Sequence, residues 1–329
     1  MRILIIGGTR FMGRHLAEQA LAAGHEITLF HRGQTGADLF PGTEHVIGDR
    51  DAGYGVLGDR RWDAAVDMCG YFPRQVREAT GALADRVEHY TFISSISVYP
   101  DEAEDIDEDT PVIRLADPTV EEITEETYGG LKALCEEVAE KAMPGRVLNV
   151  RSGLIVGPYD PTDRFTYWVR RVAMGGRTLA PLPEERPVQF IHAADEAAWI
   201  LRMIERRGTG VFNVTGPLQP HTMVEVLEAC RAVSGSHAAF EWIPEGFLLE
   251  AGAKFCEEIT LCEPGDAAGI MSVDVSRALA EGLELRSLTR TVRETLAWDA
   301  VRPPGTALKA GLTAAREAEV LRRWDERQG

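Results

Sequence analysis

The glycine-rich loop near the N-terminus constrains the fold of this chain more than any other sequence feature. A short apolar run, Arg2–Ile6, leads directly into the loop, and a helical pattern of apolar residues follows it. In such a unit, glycines allow a tight turn and close helix–sheet packing, and the free N–H groups of the helix bind a pyrophosphate. The sequence therefore predicts a dinucleotide-binding loop made of Gly7, Gly8, Thr9, Arg10, Phe11, Met12 and Gly13.

The rest of the N-terminal half repeats this alternation of apolar runs and helical patterns. Alternating strands and helices predict right-handed crossovers and a parallel sheet covered on both faces. We therefore expect an α/β fold, a doubly wound parallel Rossmann sheet with a smaller C-terminal α/β substrate-binding cap. The candidate strands are Arg2–Ile6, Glu26–Phe30, His45–Gly48, Ala64–Met68, His89–Ser94 and Val147–Arg151.

The pattern becomes less regular after Ser152, where glycine and proline interrupt short strand-like and helical segments. We expect a dinucleotide-binding domain with the catalytic residues over residues 1–155 and a mainly substrate-binding cap over residues 156–329. A strand-like piece at Val211–Val214 suggests that residues 187–215 return to the Rossmann core.

Composition and charge argue against several functional classes. The net charge of −17 disfavours a broad nucleic-acid or anionic-membrane surface, because phosphate binding needs clustered Lys and Arg. No apolar run approaches the roughly 20 residues that cross a bilayer, and the N-terminal run is too short for a signal peptide. The five cysteines form no CxxC pair, which favours reduced thiols over a metal site. We expect a cytoplasmic protein with a small-molecule substrate and no metal, nucleic-acid or membrane partner.

One acidic stretch, from Asp101 to Glu126, carries twelve acidic residues and a single cation, Arg114. Such a charge run is typical of a solvated surface loop, and a substrate lid is the alternative interpretation.

Charges near the loop favour NADP over NAD as the cofactor. Arg10 stands where a middle glycine usually lies, and the predicted second strand ends in Phe30-His31-Arg32-Gly33. NAD binders usually carry an acidic residue there that accepts the ribose 2′-hydroxyl. Because cations replace that carboxylate, a 2′-phosphate is attracted rather than repelled. The alternative is that His31 and Arg32 are simply exposed loop residues.

Two further positions fit a cofactor groove by their place at strand ends. Asp49, after the third strand, is positioned to accept a hydrogen bond from the adenine amino group. Cys69 and Gly70, at the end of the fourth strand, are expected beside the adenosine ribose.

A tyrosine and a lysine four residues apart, Tyr128 and Lys132, fall on one face of a predicted helix. A nearby ammonium lowers the pKa of a phenol, which makes it a usable acid or base near neutral pH. Upstream, a strand ends in Ser94-Ser95-Ile96-Ser97, at the edge where α/β sheets bind ligands. We expect a serine hydroxyl to hold the substrate oxygen while Tyr128 moves the proton.

With the glycine loop, the serine strand end and the Tyr-x-x-x-Lys helix in this order, the chain resembles an extended or atypical short-chain dehydrogenase/reductase. The resemblance is to the NAD-dependent epimerase/dehydratase superfamily and covers nearly the whole chain. Its further segments are Arg151–Pro158, Phe190–Asp195 and Val211–Val214. The loop sequence Gly-Gly-Thr-Arg-Phe-Met-Gly resembles that of a subgroup that includes chloroplast stem-loop-binding proteins.

The resemblance implies a catalytic set of Ser95, Tyr128 and Lys132. In it, Tyr128 exchanges a proton with the substrate oxygen with the help of Ser95. Lys132 binds the nicotinamide ribose, and hydride passes between the substrate carbon and the nicotinamide. It also implies cofactor contacts from Ser94 and from Leu154, which begins a segment beside the nicotinamide end.

Two departures from the family pattern affect these expectations. Arg10 stands in place of the middle glycine. The segment of residues 70–88 is also shorter than the corresponding region of sugar-nucleotide epimerases, which commonly dimerise through a helix of that region. A monomer and a homodimer therefore both stay open.

Arginines concentrate just after the expected nicotinamide segment, from Arg164 to Arg186, with Trp168 among them. They suggest a pocket for a phosphate or carboxylate, and a solvated amphipathic helix is the alternative. The candidate substrate-binding residues are Tyr71, Ser97, Arg164 and Arg186.

Three functions remain open at this point. The first is an NAD(P)-dependent reductase or dehydrogenase acting on a small carbonyl or hydroxyl substrate. The second is a redox-neutral, NAD-dependent epimerase or dehydratase acting on a nucleotide sugar. The third is a non-catalytic dinucleotide- or RNA-binding protein, against which the negative charge and the Tyr128/Lys132 pair count.

Overall fold

The computed structural model describes residues 1–101, 103–262, 265 and 269–329. The strands are Arg2–Ile6 (β1), Glu26–His31 (β2), Glu44–Ile47 (β3), Ala64–Asp67 (β4), His89–Ser95 (β5), Val147–Ser152 (β6), Leu154–Val156 (β7), Gly176–Pro181 (β8), Pro187–Val188 (β9), Phe190–His192 (β10), Gly210–Val214 (β11), His221–Thr222 (β12) and Ala238–Ile243 (β13). The helices are Phe11–Ala22 (α1), Pro73–Leu83 (α2), Glu125–Ala142 (α3), Arg164–Ala173 (α4), Ala193–Glu205 (α5), Met223–Ser234 (α6), Glu245–Glu250 (α7), Ser276–Ala280 (α8), Leu288–Ala300 (α9) and Ala314–Gln328 (α10).

Seven parallel strands form the main sheet in the order β11-β6-β5-β4-β1-β2-β3. The strand order reverses between β1 and β4, and in open α/β sheets ligands bind at the carboxyl ends of the strands at such a switch point. The predicted fold class, a doubly wound parallel Rossmann sheet, is confirmed. All six candidate strands occur, with ends that differ by at most one residue.

The strands of this sheet are buried because helices cover both faces. β4 and β5 have no exposed residue, as expected for parallel strands that pack on two sides. Helices α1 and α5 pack against each other on one face, and α2 and α3 pack together on the other. The carboxyl edge of the sheet is left open for a site.

The C-terminal half builds a second core around Trp168, whose fully buried indole donates to the Thr260 carbonyl at 3.0 Å. Helices α4, α6 and α9 pack around it, and β8 pairs with β13. Strand β11, however, adds to the main sheet beside β6. In the described part of the chain, no helix combines the length and apolar character needed to span a bilayer.

Most of the arginine cluster holds this half together. Arg170 pairs with Asp299 on α9 at 2.5 Å, and Arg171 pairs with Glu317 on α10 at 2.6 Å. These side chains are engaged in ion pairs between helices, so the structure assigns them a structural role rather than a ligand pocket.

Candidate functional site

A large cleft of about 1960 Å³ runs along the carboxyl edge of the main sheet, from the glycine loop to the C-terminal half. It brings together most of the residues singled out in the sequence: Gly7, Thr9, Arg10, Phe11, Met12, Gly13, His31, Arg32, Asp49, Cys69, Tyr71, Ser94, Ser95, Ser97, Tyr128, Lys132, Leu154 and Arg164. Gly8, Gly70 and Arg186 are not among its lining residues.

The three glycines of the loop are required for different steric reasons. Gly7 has φ of +88°, a backbone conformation that favours glycine. A Cβ on Gly13 would lie 2.9 Å from the Gly7 carbonyl oxygen, so helix α1 packs directly on the loop. Gly8 lies beneath the loop, where a Cβ would meet the Leu29 side chain at 2.7 Å. Gly8 therefore supports the loop from below, outside the cleft wall.

Arg10 begins helix α1 as its N-cap, with an extended backbone at φ −136° and ψ 139°. This conformation does not need glycine, which explains how an arginine replaces the usual middle glycine. The side chain is exposed at the cleft and has no hydrogen bond or ion pair within the described ranges. It adds a free positive charge to the N-terminal end of the helix, where anions are favoured.

The end of β2 supplies one cation rather than two. Arg32 is exposed at the cleft. His31 is buried, its Nδ1 accepts from the Gly33 amide at 3.0 Å, and burial lowers its pKa. The expectation that His31 contributes positive charge is wrong, because a buried imidazole that accepts an N–H is neutral.

Beneath the adenosine end of the cleft lies a buried ion pair that the sequence reasoning missed. Arg50 donates to both oxygens of Asp67 at 2.8 and 2.9 Å, and Tyr90 donates to the same carboxylate at 2.9 Å. Arg50 also lies 3.3 Å from the Cys69 thiol. The sequence feature that could have indicated this ion pair is Asp67, a carboxylate at the end of a buried strand, because buried charges are usually paired.

Asp49, immediately before this pair, accepts from the Asp51 amide at 3.0 Å and caps a short helical turn. Its carboxylate lines the cleft, as expected for a residue near the adenine.

The serine strand end and the tyrosine helix meet in the middle of the cleft. Tyr128, near the start of α3, lies beside Ser95, whose side chain acts on the phenol. Ser95 Oγ donates to Ser97 Oγ at 3.0 Å and accepts from the Ser97 amide at 3.1 Å. Burial raises the pKa of Tyr128, and the Ser95 side chain and the charge of Arg164 oppose that rise. The two serines and the tyrosine are thus neighbours at the carboxyl end of β5.

Lys132 lies one turn deeper than Tyr128 and is buried. Its ammonium donates to the carbonyl oxygens of Gly70 at 2.8 Å and Ile93 at 2.5 Å. Burial lowers its pKa to about 8. The expected lowering of the Tyr128 pKa by Lys132 is wrong for this structure, because the ammonium is turned toward strand-end carbonyls and burial dominates at the phenol. The Gly70 carbonyl anchors the lysine from just behind the cleft wall.

The two glycines between Tyr128 and Lys132 allow α3 to approach the site, a role that the sequence analysis missed. A Cβ on Gly129 would lie 1.8 Å from the Ser97 carbonyl oxygen, and a Cβ on Gly130 would lie 2.5 Å from Leu115. The sequence feature that could have indicated this close approach is the Gly-Gly pair itself. Two glycines destabilise a helix interior, so their presence there suggests that close packing requires them.

Arg164, the first residue of α4, is the free cation at the far end of the cleft. Its Nε lies 3.3 Å from Thr162 Oγ1, and Asp160 holds that turn by accepting from the Thr162 amide and hydroxyl at 2.8 and 2.7 Å. No described carboxylate lies within ion-pair distance of Arg164. Arg186, by contrast, pairs with Glu245 and lies outside the cleft lining, so its predicted role in substrate binding is wrong.

The wall that the C-terminal half contributes to the cleft is largely apolar. Leu249, Phe255, Ile270 and Met271 from the C-terminal half line the same cleft. A ligand that fits here therefore combines apolar surface with an oxygen near Ser95 and Tyr128.

The acidic stretch is part of this site rather than a wholly solvated loop; of its residues, Glu102 lies outside the described ones. Ile106 is fully buried, and the Glu108 carboxylate accepts from the Asn213 amide at 2.9 Å. Pro111 to Arg114 line the cleft beside Glu125 and Glu126. This segment is anchored on the sheet because burial of its apolar residues outweighs the solvation of its charges.

Within the part of the chain that the structure describes, no cluster of three or more His, Cys, Asp or Glu side chains is arranged to hold a metal ion.

A doubly wound sheet with a glycine loop at its switch point, and a Ser–Tyr–Lys group at the adjoining edge, defines a Rossmann-type protein of the short-chain dehydrogenase/reductase class. Residues 73–215 match the NAD dependent epimerase/dehydratase family. The resemblance drawn from the motifs is confirmed.

One curated protein is also similar to this chain in sequence. The chain is 28% identical over 240 residues to the chloroplast stem-loop binding protein of 41 kDa b from Arabidopsis thaliana. The match covers 65% of this chain and 58% of that protein.

Solved structures share the fold. A UDP-glucuronic acid 4-epimerase from Bacillus cereus, in complex with NAD, matches with a TM-score of 0.67 at 15% identity, over 91% of this chain and 98% of that one. The human epimerase family protein SDR39U1, with NADPH, matches with a TM-score of 0.61 at 22% identity, over 90% and 99%. At these identities the likeness extends to the fold alone.

Proposed function

We propose that this protein is an NADP-dependent reductase or dehydrogenase that acts on a small carbonyl or hydroxyl substrate, with NAD as the second-choice cofactor. The observation that carries the proposal is that Ser95 and Tyr128 lie side by side in the same cleft as the glycine loop. This is a proton-transfer group beside a dinucleotide groove, which is what hydride chemistry at a carbonyl requires.

The residues at the loop end fit a phosphorylated dinucleotide. Gly7 and Gly13 bring the N-terminus of α1 against the cleft, where its free N–H groups face a pyrophosphate. Arg10 and Arg32 both reach the cleft without a carboxylate partner in the described chain, so their charge is available to a 2′-phosphate. The crystal structure of SDR39U1, a structural neighbour, contains NADPH.

A bound nicotinamide supplies or accepts the hydride. Ser95, held in place by the Ser97 amide, turns its hydroxyl proton from Ser97 Oγ to the substrate oxygen and orients that oxygen toward Tyr128. Tyr128 then gives its proton to that oxygen during reduction, or takes it during oxidation. Lys132 is held near the end of β5 by two carbonyls, and with a pKa of about 8 it carries its charge at neutral pH. We propose that the third N–H of this ammonium, which the two carbonyls leave available, donates to the nicotinamide ribose.

We propose that the substrate carries an anionic group. Arg164 lines the cleft without a carboxylate partner in the described chain, and its charge acts on the Tyr128 phenol. A carboxylate or phosphate on Arg164 would place the rest of the substrate between Tyr128 and the apolar wall of Leu249 and Phe255. Tyr71 and Ser97, on the cofactor side, complete the proposed contacts.

A redox-neutral epimerase or dehydratase acting on a nucleotide sugar is the second candidate. It is favoured by the family match over residues 73–215 and by the fold shared with the Bacillus cereus UDP-glucuronic acid 4-epimerase. Tightly held NAD in the purified protein would favour it, and free exchange with NADPH would favour the reductase. RNA binding, which the name of the stem-loop binding relative from Arabidopsis suggests, would instead give a steep salt dependence unaffected by Tyr128→Phe.

The test of the proposed function is the variant Tyr128→Phe. It removes the proton donor and keeps the ring, so turnover of carbonyl substrates with NADPH should fall by at least about 100-fold, the scale of a general acid. Binding of NADPH, followed by fluorescence, should change by less than about twofold.

The matched control is Tyr159→Phe, since Tyr159 stacks on Arg14 outside the cleft lining. This variant should keep turnover. Wild-type turnover in Tyr128→Phe would exclude this tyrosine from the mechanism.

A further inference from the structure

The loop between β2 and β3 brings several side chains to the adenosine end of the cleft. Arg32, Gln34 and Thr35 all line it. Gly36, with φ of +59°, lies against the glycine loop, since a Cβ there would be 2.8 Å from the Thr9 carbonyl oxygen. The position of this loop therefore decides what the adenosine ribose meets.

Two histidines connect the two ends of this loop by a chain of hydrogen bonds. The Gly33 amide donates to His31 Nδ1 at 3.0 Å, and His31 Nε2 lies 2.8 Å from His45 Nδ1. His45 Nε2 in turn lies 3.4 Å from the carbonyl oxygen of Phe40. Gly33 is at the start of the loop and Phe40 near its end, so the chain closes the loop on itself.

The direction of each bond follows from the first one. An amide always donates, so His31 Nδ1 carries no proton and the proton of the neutral ring is on Nε2. His31 Nε2 therefore donates to His45 Nδ1, which leaves the proton of His45 on Nε2, facing the Phe40 carbonyl. Burial of His31, which lowers its pKa, favours this neutral state. Each ring thus has one fixed tautomer.

We propose that His31 and His45 are positioning residues that hold the β2–β3 loop in the conformation that binds the 2′-phosphate of the cofactor. The inference rests on the proposed preference for NADP. In the proposed arrangement, Arg32 contacts the 2′-phosphate, and the two histidines contact only the loop. Loss of the pair frees Gly33 and lets Arg32 move, which weakens a 2′-phosphate ligand more than one without it.

The experiment compares His45→Leu with His45→Asn. Leucine removes the acceptor for His31, whereas the Oδ1 of asparagine occupies nearly the place of Nδ1 and keeps it. The probes are 2′,5′-ADP and 5′-AMP, measured by calorimetry. His45→Leu should weaken 2′,5′-ADP about fivefold to tenfold, the effect of a lost buried hydrogen bond, and 5′-AMP less than about twofold. His45→Asn should bind both like the wild type.

Equal weakening of both probes by His45→Leu, or none, would overturn the proposal. His31→Asn gives an independent second variant if His45→Leu does not fold, because it keeps an acceptor for Gly33 but breaks the link to His45. It should show the same selective loss.

A failure of the NADP preference is distinguishable from a failure of this inference. If the wild type binds 5′-AMP as tightly as 2′,5′-ADP, the proposed cofactor choice is wrong. Amide hydrogen exchange at Gly33 then decides the positioning role. Exchange that is faster in His45→Leu than in His45→Asn supports the pair, and identical exchange overturns it.

Discussion

Single residues in this protein acquire their properties from partners distant in sequence. Glu196 on α5 is fully buried, and its carboxyl accepts a hydrogen bond from Ser152 at 2.5 Å, beside the cleft wall. Burial raises the pKa of Glu196 to about 8. The group is therefore a neutral acid at pH 7 in the folded protein and an ionised one in the unfolded chain.

This difference predicts how Glu196→Gln changes stability. A raised pKa in the folded state costs stability as pH rises from the ordinary carboxyl value, 4.5, toward about 8, because the unfolded chain releases the proton first. The variant should therefore raise the free energy of unfolding at pH 7.5 by up to about 4 kcal/mol. At pH 4.5, where the unfolded carboxyl is only half ionised, the effect should be below about 0.5 kcal/mol. Urea denaturation of the protein without ligands at both pH values measures this.

The control is Glu185→Gln, since Glu185 is exposed. It should leave stability unchanged at both pH values. A stabilisation of Glu196→Gln that is the same at pH 4.5 and 7.5 would contradict the ionisation argument.

At the scale of elements, the approach of α3 to the end of β5 determines the geometry of the site. Gly129 lets the helix backbone contact the Ser97 carbonyl, and Ser97 in turn holds Ser95 against Tyr128. The motif Tyr-x-x-x-Lys was sufficient to place Tyr128 and Lys132 on one helix face. It did not show how close that helix lies to the strand, because packing distance depends on residues from both elements.

Gly129→Ala should therefore destabilise the protein by about 1–3 kcal/mol, the cost of overpacking, and reduce turnover by displacing Ser97. Gly81→Ala is the matched control, because Gly81 is also helical but a Cβ there meets nothing within 4 Å. It should stabilise α2 by up to about 1 kcal/mol. Thermal denaturation of both variants tests the contrast, and equal stability of the two would show that α3 does not pack closely at this point.

On the scale of the whole molecule, the cleft joins the main sheet to the C-terminal half. Its walls come from β1, β2 and β5, from the acidic stretch, and from apolar residues such as Leu249 and Phe255. A cofactor that contacts only the folded arrangement stabilises the entire chain, by an amount set by its affinity and concentration.

NADP at about 100 times its Kd should raise the free energy of unfolding by about 2.7 kcal/mol, and NAD at the same concentration by less. Arg32→Asp should reverse that order, because a carboxylate repels the 2′-phosphate and accepts from a 2′-hydroxyl. The exposed Arg77 on α2 lies outside the cleft, so Arg77→Asp should keep the wild-type order. Thermal shift assays measure all three, and equal stabilisation of the wild type by both cofactors would contradict the preference.

The sequence by itself determined the fold class, the strand positions and the candidate site at the carboxyl edge. These follow from local patterns: the periodicity of apolar residues, the positions of glycines, and the spacing of residues along a helix. Such patterns can be recognised without knowing which residues each element packs against. The order of the glycine loop, the serines and the Tyr–Lys helix was likewise sufficient to predict which residues converge.

Only the tertiary structure decided the charge and partners of those residues. It paired Arg186 with Glu245 but left Arg164 free, and it turned Lys132 toward Gly70 rather than toward the phenol. It also made His31 neutral through burial and His45. Burial and long-range pairing control ionisation, and both depend on groups many residues apart, so no local pattern encodes them.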